Sequence, residues 1–417
     1  MKILVHERLE VGDIVLTTTN EPISFAIRLA TKGDISHAML YVDTCSVIDA
    51  TNEGVQARNT QRILIEDDRA VHVLRLKAGL SAKDAISICD FARSRVGTQY
   101  SVKEAIRVAA GGSDVWSRKQ FCSRLVAQAY SSVGIDLVLD ANFCSPNDIL
   151  RSDQLTEIQD ITRPATKEDL QFSEVTDIPQ RMRDTTNAFL AGVRVKVPEI
   201  QHLNDVFSHL QSNPADDDHF HKALMDSGYL TVWQMETDES PWHFDLALME
   251  AIPDSRSVQT YCVTILGDAG QARRRHAINA SQSERPFKEH PLKTFGAFRD
   301  LSALLLDLLH ARRYVAAMWL ARHAPNALPP VVHTPHTPEW FAEYEIEEPD
   351  KAAMTKAVLN NEGREDICSI CGDEPAADYR RAGPILPGIL TPTLRLCDDC
   401  LTIRKQHHSE LYVPFST

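Results

Sequence analysis

Three side chains in the first 130 residues have the types and setting for acyl transfer. Cys122 stands in the run Lys119-Gln120-Phe121-Cys122-Ser123-Arg124-Leu125-Val126-Ala127-Gln128-Ala129-Tyr130. Phe121, Leu125, Val126 and Ala129 make one helical stripe, which puts the thiol in the opening turn of a helix. A free thiol, with a pKa of about 8.5, is only a few per cent ionised at neutral pH. The partial positive charge of a helix N-terminus and a nearby imidazolium favour the thiolate, and the same backbone amides can hold an oxyanion.

The other two lie on neighbouring strands. His37 sits in Ile35–Val42 and Asp49 in Ser46–Thr51. In a hairpin centred on Asp43 the paired residue numbers add to 86, and His37 falls opposite Asp49. Directly opposed residues have β-carbons about 4.5–5.5 Å apart, close enough for a carboxylate to accept an imidazole N–H. That contact fixes the tautomer and leaves the other ring nitrogen as a base. Cys45, Cys89 and Cys144 are competing thiols.

A second chemistry is written at the other end. Cys368-Ser-Ile-Cys371 and Cys397-Asp-Asp-Cys400 are two C-x-x-C knuckles. Four thiolates about 2.3 Å from one ion make a closed tetrahedral site of the kind Zn2+ favours, structural because no coordination position stays open. The segment between the knuckles carries Pro384, Pro387, Gly388 and Pro392 and reads as a loop or hairpin. Asp216-Asp217-Asp218-His219-Phe220-His221 also mixes carboxylates and imidazoles, but an acidic helix N-terminus is the simpler account. His333 and His336, in a proline-rich stretch, carry no stronger case. The basic run Arg404-Lys405-Gln406-His407-His408 reads as a solvated helix end.

These groups need elements to carry them. Asp13–Thr18, Ile35–Val42, Ser46–Thr51, Val55–Asn59 and Ala70–Leu76 read as strands. Pro22–Thr31, Ala82–Arg95, Val102–Val108 and Phe121–Val133 read as helices. Adjacent strands with flanking helices imply an α+β fold with an antiparallel sheet over residues 1–160. A polar connector is expected over 161–185 and a mainly helical domain over 186–323. Within the latter, Ser240-Pro241 should open a Trp242–Ile252 helix, and two apolar helices should lie between Phe298 and His323. The proline content of 324–359 reads as a linker, and 360–417 as the four-Cys module.

Of the 417 residues, 44 are Lys or Arg and 58 Asp or Glu, a net charge of −14. The first 160 residues are nearly balanced, so most of the acidity belongs to the rest. Such a chain repels polyphosphate and disfavours a nucleic-acid partner. The apolar stretch Leu301–Leu320 is broken by Asp307, His310, Arg312 and Arg313, which makes it a half-buried helix and not a membrane span. No signal-like apolar run follows Met1, and nine cysteines include two metal-type pairs. Together these point to a reducing compartment, the cytoplasm.

Gly12-Asp13-Ile14, Ser36-His37-Ala38, Asp49, Gly97-Thr98-Gln99-Tyr100-Ser101, Phe121-Cys122-Ser123-Arg124-Leu125-Val126 and Ser145-Pro146 occur in that order. Over residues 8–150 this resembles the NlpC/p60-like superfamily of circularly permuted papain-fold cysteine hydrolases. The likeness is to its YiiX-like branch, with lecithin retinol acyltransferase more distant. The resemblance implies Cys122 as nucleophile, His37 as general base and Asp49 as the residue that orients the ring, with Glu53 as the alternative third member. Tyr100 resembles a tyrosine near the substrate cleft. The implied activity is a thiol hydrolase of amide or ester bonds working through a thioester, with peptide, isopeptide or acyl-lipid substrates. The knuckles and following helix resemble the small zinc module of the ClpX chaperone, which implies a protein partner. Two other classes stay open: an inactive adaptor that binds through its zinc module, and a zinc-ribbon nucleic-acid binder.

Overall fold

Apolar alternation on both faces builds the N-terminal sheet. The computed structural model describes residues 1–18, 24–25, 28–29, 33–109, 118–174, 177–267, 271–327, 333–362, 366–381, 393–407 and 412–414. The helix expected over Pro22–Thr31 lies mostly outside them, as do His408 and the prolines at 384, 387 and 392 with Gly388. The strands are β1 (Lys2–Leu4), β2 (Ile14–Thr17), β3 (His37–Asp43), β4 (Ser46–Thr51), β5 (Gly54–Asn59) and β6 (Val71–Leu76). Helices α1 (Ala82–Ser94), α2 (Val102–Ala109), α3 (Cys122–Ser131) and α4 (Pro146–Leu150) follow, then β7 (Leu155–Ile158) and β8 (Thr162–Pro164). Six strands form one antiparallel sheet in the order β5-β4-β3-β2-β6-β7, and β1 pairs with β8.

Ile14, Leu16, Ala38, Leu40, Ile48 and Ala50 face a core completed by Ile88, Leu125, Val126 and Ala129 of α1 and α3. The intervening Val15, Met39, Tyr41, Val47 and Val73 face a second core with Leu4, Ile63, Ile65 and Ile161. A strand buried on both faces reads as a continuous apolar run, as Ile14-Val15-Leu16 does.

The β3–β4 hairpin corrects the expected register. The turn falls at Thr44-Cys45, with Cys45 at φ 57°, and an irregularity lies between Tyr41 and Asp43. Asp49 therefore pairs with Met39, not His37. A slip of two keeps every side chain on its face, because the strand period is two.

The chain divides into two compact units, Met1–Val232 and Trp233–Thr417. In the first, the stretch expected to be a polar connector holds β8 and α5 (Lys167–Glu174), and it enters α6 (Ile178–Arg194). Helix α5 buries none of its residues, so it shows no apolar stripe to read. Helices α7 (Leu203–Ser212) and α8 (Asp217–Asp226) complete the unit, and Asp217 and Asp218 open α8. The division falls at the start of α9 (Val232–Glu239), inside the stretch expected to be one helical domain.

The second unit contains α10 (Leu246–Glu250), α11 (Ser255–Gly267), α12 (Gln271–Glu289) and α13 (Lys293–His323). Ser240 caps nothing; Asp245 accepts the Ala247 and Leu248 amides, so the helix starts later than Ser240-Pro241 suggests. One helix, not two, spans 293–323. Arg313, one of the charges that interrupt its apolar run, is buried and donates to the Ile265 and Leu266 carbonyls at the end of α11. Where 324–359 reads as linker, α14 (Pro338–Glu347) and the start of α15 (Pro349–Glu362) are found. They pack with β9 (Ala377–Arg381), β10 (Thr393–Leu396), α16 (Asp398–His407) and β11 (Tyr412–Pro414) around Trp340, Tyr344, Leu394, Leu396 and Leu401.

Candidate active site

Helix α3 begins at Cys122 because Phe121 is extended, at φ −143° and ψ 162°. Just before it, Gln120 is held by backbone hydrogen bonds with Gln99 and Ser101. The entry is buttressed by Arg124, which is fully buried. It donates to the Asn142 and Lys119 carbonyls, pairs with Glu104 at 2.6 Å and stacks 4.3 Å above the Phe121 ring. Ser123 Oγ donates to the Cys144 carbonyl at 2.7 Å, and Asn147 of α4 donates to the Ile35 carbonyl at 3.0 Å. The helix start is thereby tied to the segment that leads into β3.

There the Cys122 sulfur lies 4.0 Å from the Ser36 carbonyl oxygen and neighbours the His37 ring. Nε2 of His37 is 2.9 Å from Oδ2 of Asp49. The contact runs along the diagonal of the hairpin, within reach of a ring and a carboxylate. With Nε2 engaged, Nδ1 is the nitrogen left for the sulfur. Cys122 is 2% exposed, His37 8% and Asp49 0%. Burial by itself would push the imidazole down. Its bonds to Asp49 and Cys122 outweigh that and raise it to about 10, so the ring holds its proton at neutral pH. Burial pushes the Asp49 carboxyl up, but His37 and then Arg58 reverse the balance and hold it below the usual carboxylate range.

Sequence reasoning missed Arg58, whose Nη1 lies 3.1 Å from the same Asp49 oxygen, and Arg124, Ser123 and Asn147. Alternation along β5 puts Arg58 on the face of Gln56, which pairs with Asp49, and is the signal that was there to use. Glu53 is not brought to the ring: it lies in the β4–β5 turn and pairs with Arg183 at 2.5 Å. Tyr100 bridges to Gln120 and packs beside Phe121, next to the helix entry. The competing thiols have other surroundings. Burial, then Glu7 and Asp43, pushes Cys45 up to about 11; burial and Asp148 push Cys144 up further. Cys89 is buried inside α1.

In the second unit, the Cys368, Cys371, Cys397 and Cys400 sulfurs lie within 4.8 Å of one another. Sulfurs on a tetrahedron of Zn–S length are separated by about 3.8 Å, and Cys371 and Cys397 stand at 3.6 Å. The donor set and spacing fit a metal ion. Gly372, at φ 81°, closes the first knuckle in the left-handed region, and the Ile370 amide donates to the Cys368 sulfur at 3.4 Å. Among the described residues the 216–221 cluster does not converge: His219 bonds the Gly192 carbonyl, and His209 takes Asp216. His336 bonds Ser369 Oγ. No described helix is long and apolar enough to cross a membrane.

No curated protein matches the chain. A solved structure described as metalloprotein yiiX from Escherichia coli O157:H7 aligns with 36% of this chain and 97% of its own, at 19% identity and a TM-score of 0.29. Residues 8–159, the segment that holds Cys122, His37 and Asp49, match the family described as permuted papain-like amidase enzyme, YaeF/YiiX, C92 family, and are thus similar to a family of hydrolases.

Proposed function

We propose that the N-terminal domain, residues 1–160, is a cysteine amidase in which Cys122 is the nucleophile, His37 the proton carrier and Asp49 the residue that orients the ring. One observation carries it: a cysteine at the first residue of a buried helix beside an imidazole whose far nitrogen is fixed by a buried carboxylate at 2.9 Å. The Cys122 thiolate attacks the carbonyl of an amide or ester. The Cys122 backbone amide, unpaired within the helix, faces the developing oxyanion. His37 gives its proton to the leaving amine or alcohol, and the thioester is released to water or a second acceptor. The match to an amidase family favours a peptide-type amide over an acyl lipid.

The four cysteines hold a structural Zn2+, and the surrounding module recruits a protein partner or the substrate. Four thiolates suit a reducing compartment, the cytoplasm.

The rival is an adaptor whose papain-like domain is inactive. Iodoacetamide labelling near neutral pH separates the two. Cys122 and Cys89 are both buried, so a difference in rate reports the imidazole more than access. For the enzyme, Cys122 labels faster than Cys89 and loses at least about tenfold in rate in His37→Ala. Labelling no faster than Cys89, or indifferent to His37, makes the domain an adaptor.

A further inference from the structure

We infer that Arg58 is a positioning residue that acts on the proposed triad through Asp49, keeping the buried carboxylate charged and aimed at His37. The inference rests on that triad. Asp49 is fully buried, and an unpaired carboxylate there is driven toward its neutral form. Its Oδ2 receives Nε2 of His37 from β3 at 2.9 Å and Nη1 of Arg58 from β5 at 3.1 Å. Both donors stand two residues along from the positions opposite Asp49, which are Met39 and Gln56. The sheet thus delivers a ring from one side and a guanidinium from the other to one oxygen. Oδ1 of Asp49 has no hydrogen-bond partner among the described residues.

Among the described residues, the charged and titratable groups facing this unit are few. Asp49 meets His37 and Arg58, and the ring meets Asp49 and Cys122 of α3. When His37 hands its proton to a leaving group, the imidazolium no longer balances Asp49. Among the described residues, Arg58 is the cation then left beside the carboxylate. Its other side opens on a polar cavity of about 310 Å³ lined also by Gln56, Asn59, Arg62, Asp177 and Arg183. Solvent there hydrates a guanidinium that is 38% exposed while its tip reaches the buried pair.

The test is an NMR titration of His37 in the full chain labelled with ¹⁵N-histidine, for wild type, Arg58→Met and Arg58→Lys. Removing the cation leaves the whole carboxylate to the imidazolium. Arg58→Met therefore raises the His37 midpoint by about half a pH unit or more, and Arg58→Lys returns most of the shift. Arg58→Gln, a shorter neutral residue that keeps a polar side chain toward the cavity, gives the same rise should Arg58→Met not fold. A merely structural role lowers the melting temperature of the variants without moving the ring titration. A midpoint that stays put or falls in a folded variant overturns the inference. Iodoacetamide labelling of Cys122 tells the two failures apart. Labelling indifferent to His37→Ala defeats the triad itself, whereas His37-dependent labelling with an unmoved midpoint defeats Arg58 alone.

Discussion

At the residue scale, a charged ring held at nearly complete burial links reactivity to stability. The folded His37 is raised to about 10 from an ordinary 6.5. Its pairing therefore stabilises the fold fully below that ordinary value and loses the contribution as pH rises through about 10. Asp49, held low, contributes above its ordinary value of about 3.9 and loses it as pH falls through the depressed one. The difference in melting temperature between wild type and His37→Ala should be widest near pH 5–6 and close toward pH 10–11; a gap that widens above pH 9 contradicts the assignment. Asp49→Asn keeps the shape but removes the charge that holds the tautomer, so amide turnover should fall on the order of 10³–10⁴ with native circular dichroism. Asp49→Ala also strands His37 and Arg58, and should cost about 3–5 kcal/mol in urea unfolding. That Cys122 opens a helix and that His37 meets Asp49 were legible from residue type and local setting. Arg58 and Arg124 were not, because a charged side chain in a half-polar strand or helix reads as solvated until its partner from elsewhere in the chain is known.

Elements were legible where the periodicity was strong. Strands β2 to β6 and helices α1 and α3 lie within two residues of their expected ends, since alternation and the three-and-four stripe are local properties. The hairpin register was two residues out, because a left-handed Cys45 and a bulge reset the pairing. Helices α14 and α15 escaped notice because nearby prolines suggested a linker. Yet Trp340 is 1% exposed and donates from Nε1 to the Thr393 carbonyl at 2.8 Å, and Tyr344 donates to the Ser369 carbonyl at 2.7 Å beside the first knuckle. The four-cysteine module thus takes its core from residues well before 360. Trp340→Ala should destabilise it by about 3–5 kcal/mol, read as an earlier unfolding transition for the C-terminal unit. An unchanged transition would mean that β9, β10 and α16 are stable without the two helices.

At the scale of the whole molecule, two compact units hold the two candidate sites, the buried Cys122 thiol in one and the four-cysteine cluster in the other. With the proposed metal bound, a strong chelator should lower the calorimetric melting of the C-terminal unit and leave Cys122 alkylation unchanged, because an ion held by four thiolates is coupled to local folding. Loss of Cys122 reactivity on chelation would show that the thiol site depends on the metal. A net charge of −14 also predicts no salt-sensitive affinity for duplex DNA, measurable by fluorescence anisotropy between about 50 and 200 mM salt. The sequence by itself determined what short-range geometry dictates: the alternating strands, the thiol at a helix start, the paired knuckles and the sign of the charge. Tertiary structure alone decided which oxygen the imidazole meets, that an arginine shares it, and that one 31-residue helix stands where two were expected. The physical reason is distance along the chain. Spacing between near neighbours is set by bond geometry, whereas register, buried ion pairs and shared cores are settled only when remote segments compete for the same interior.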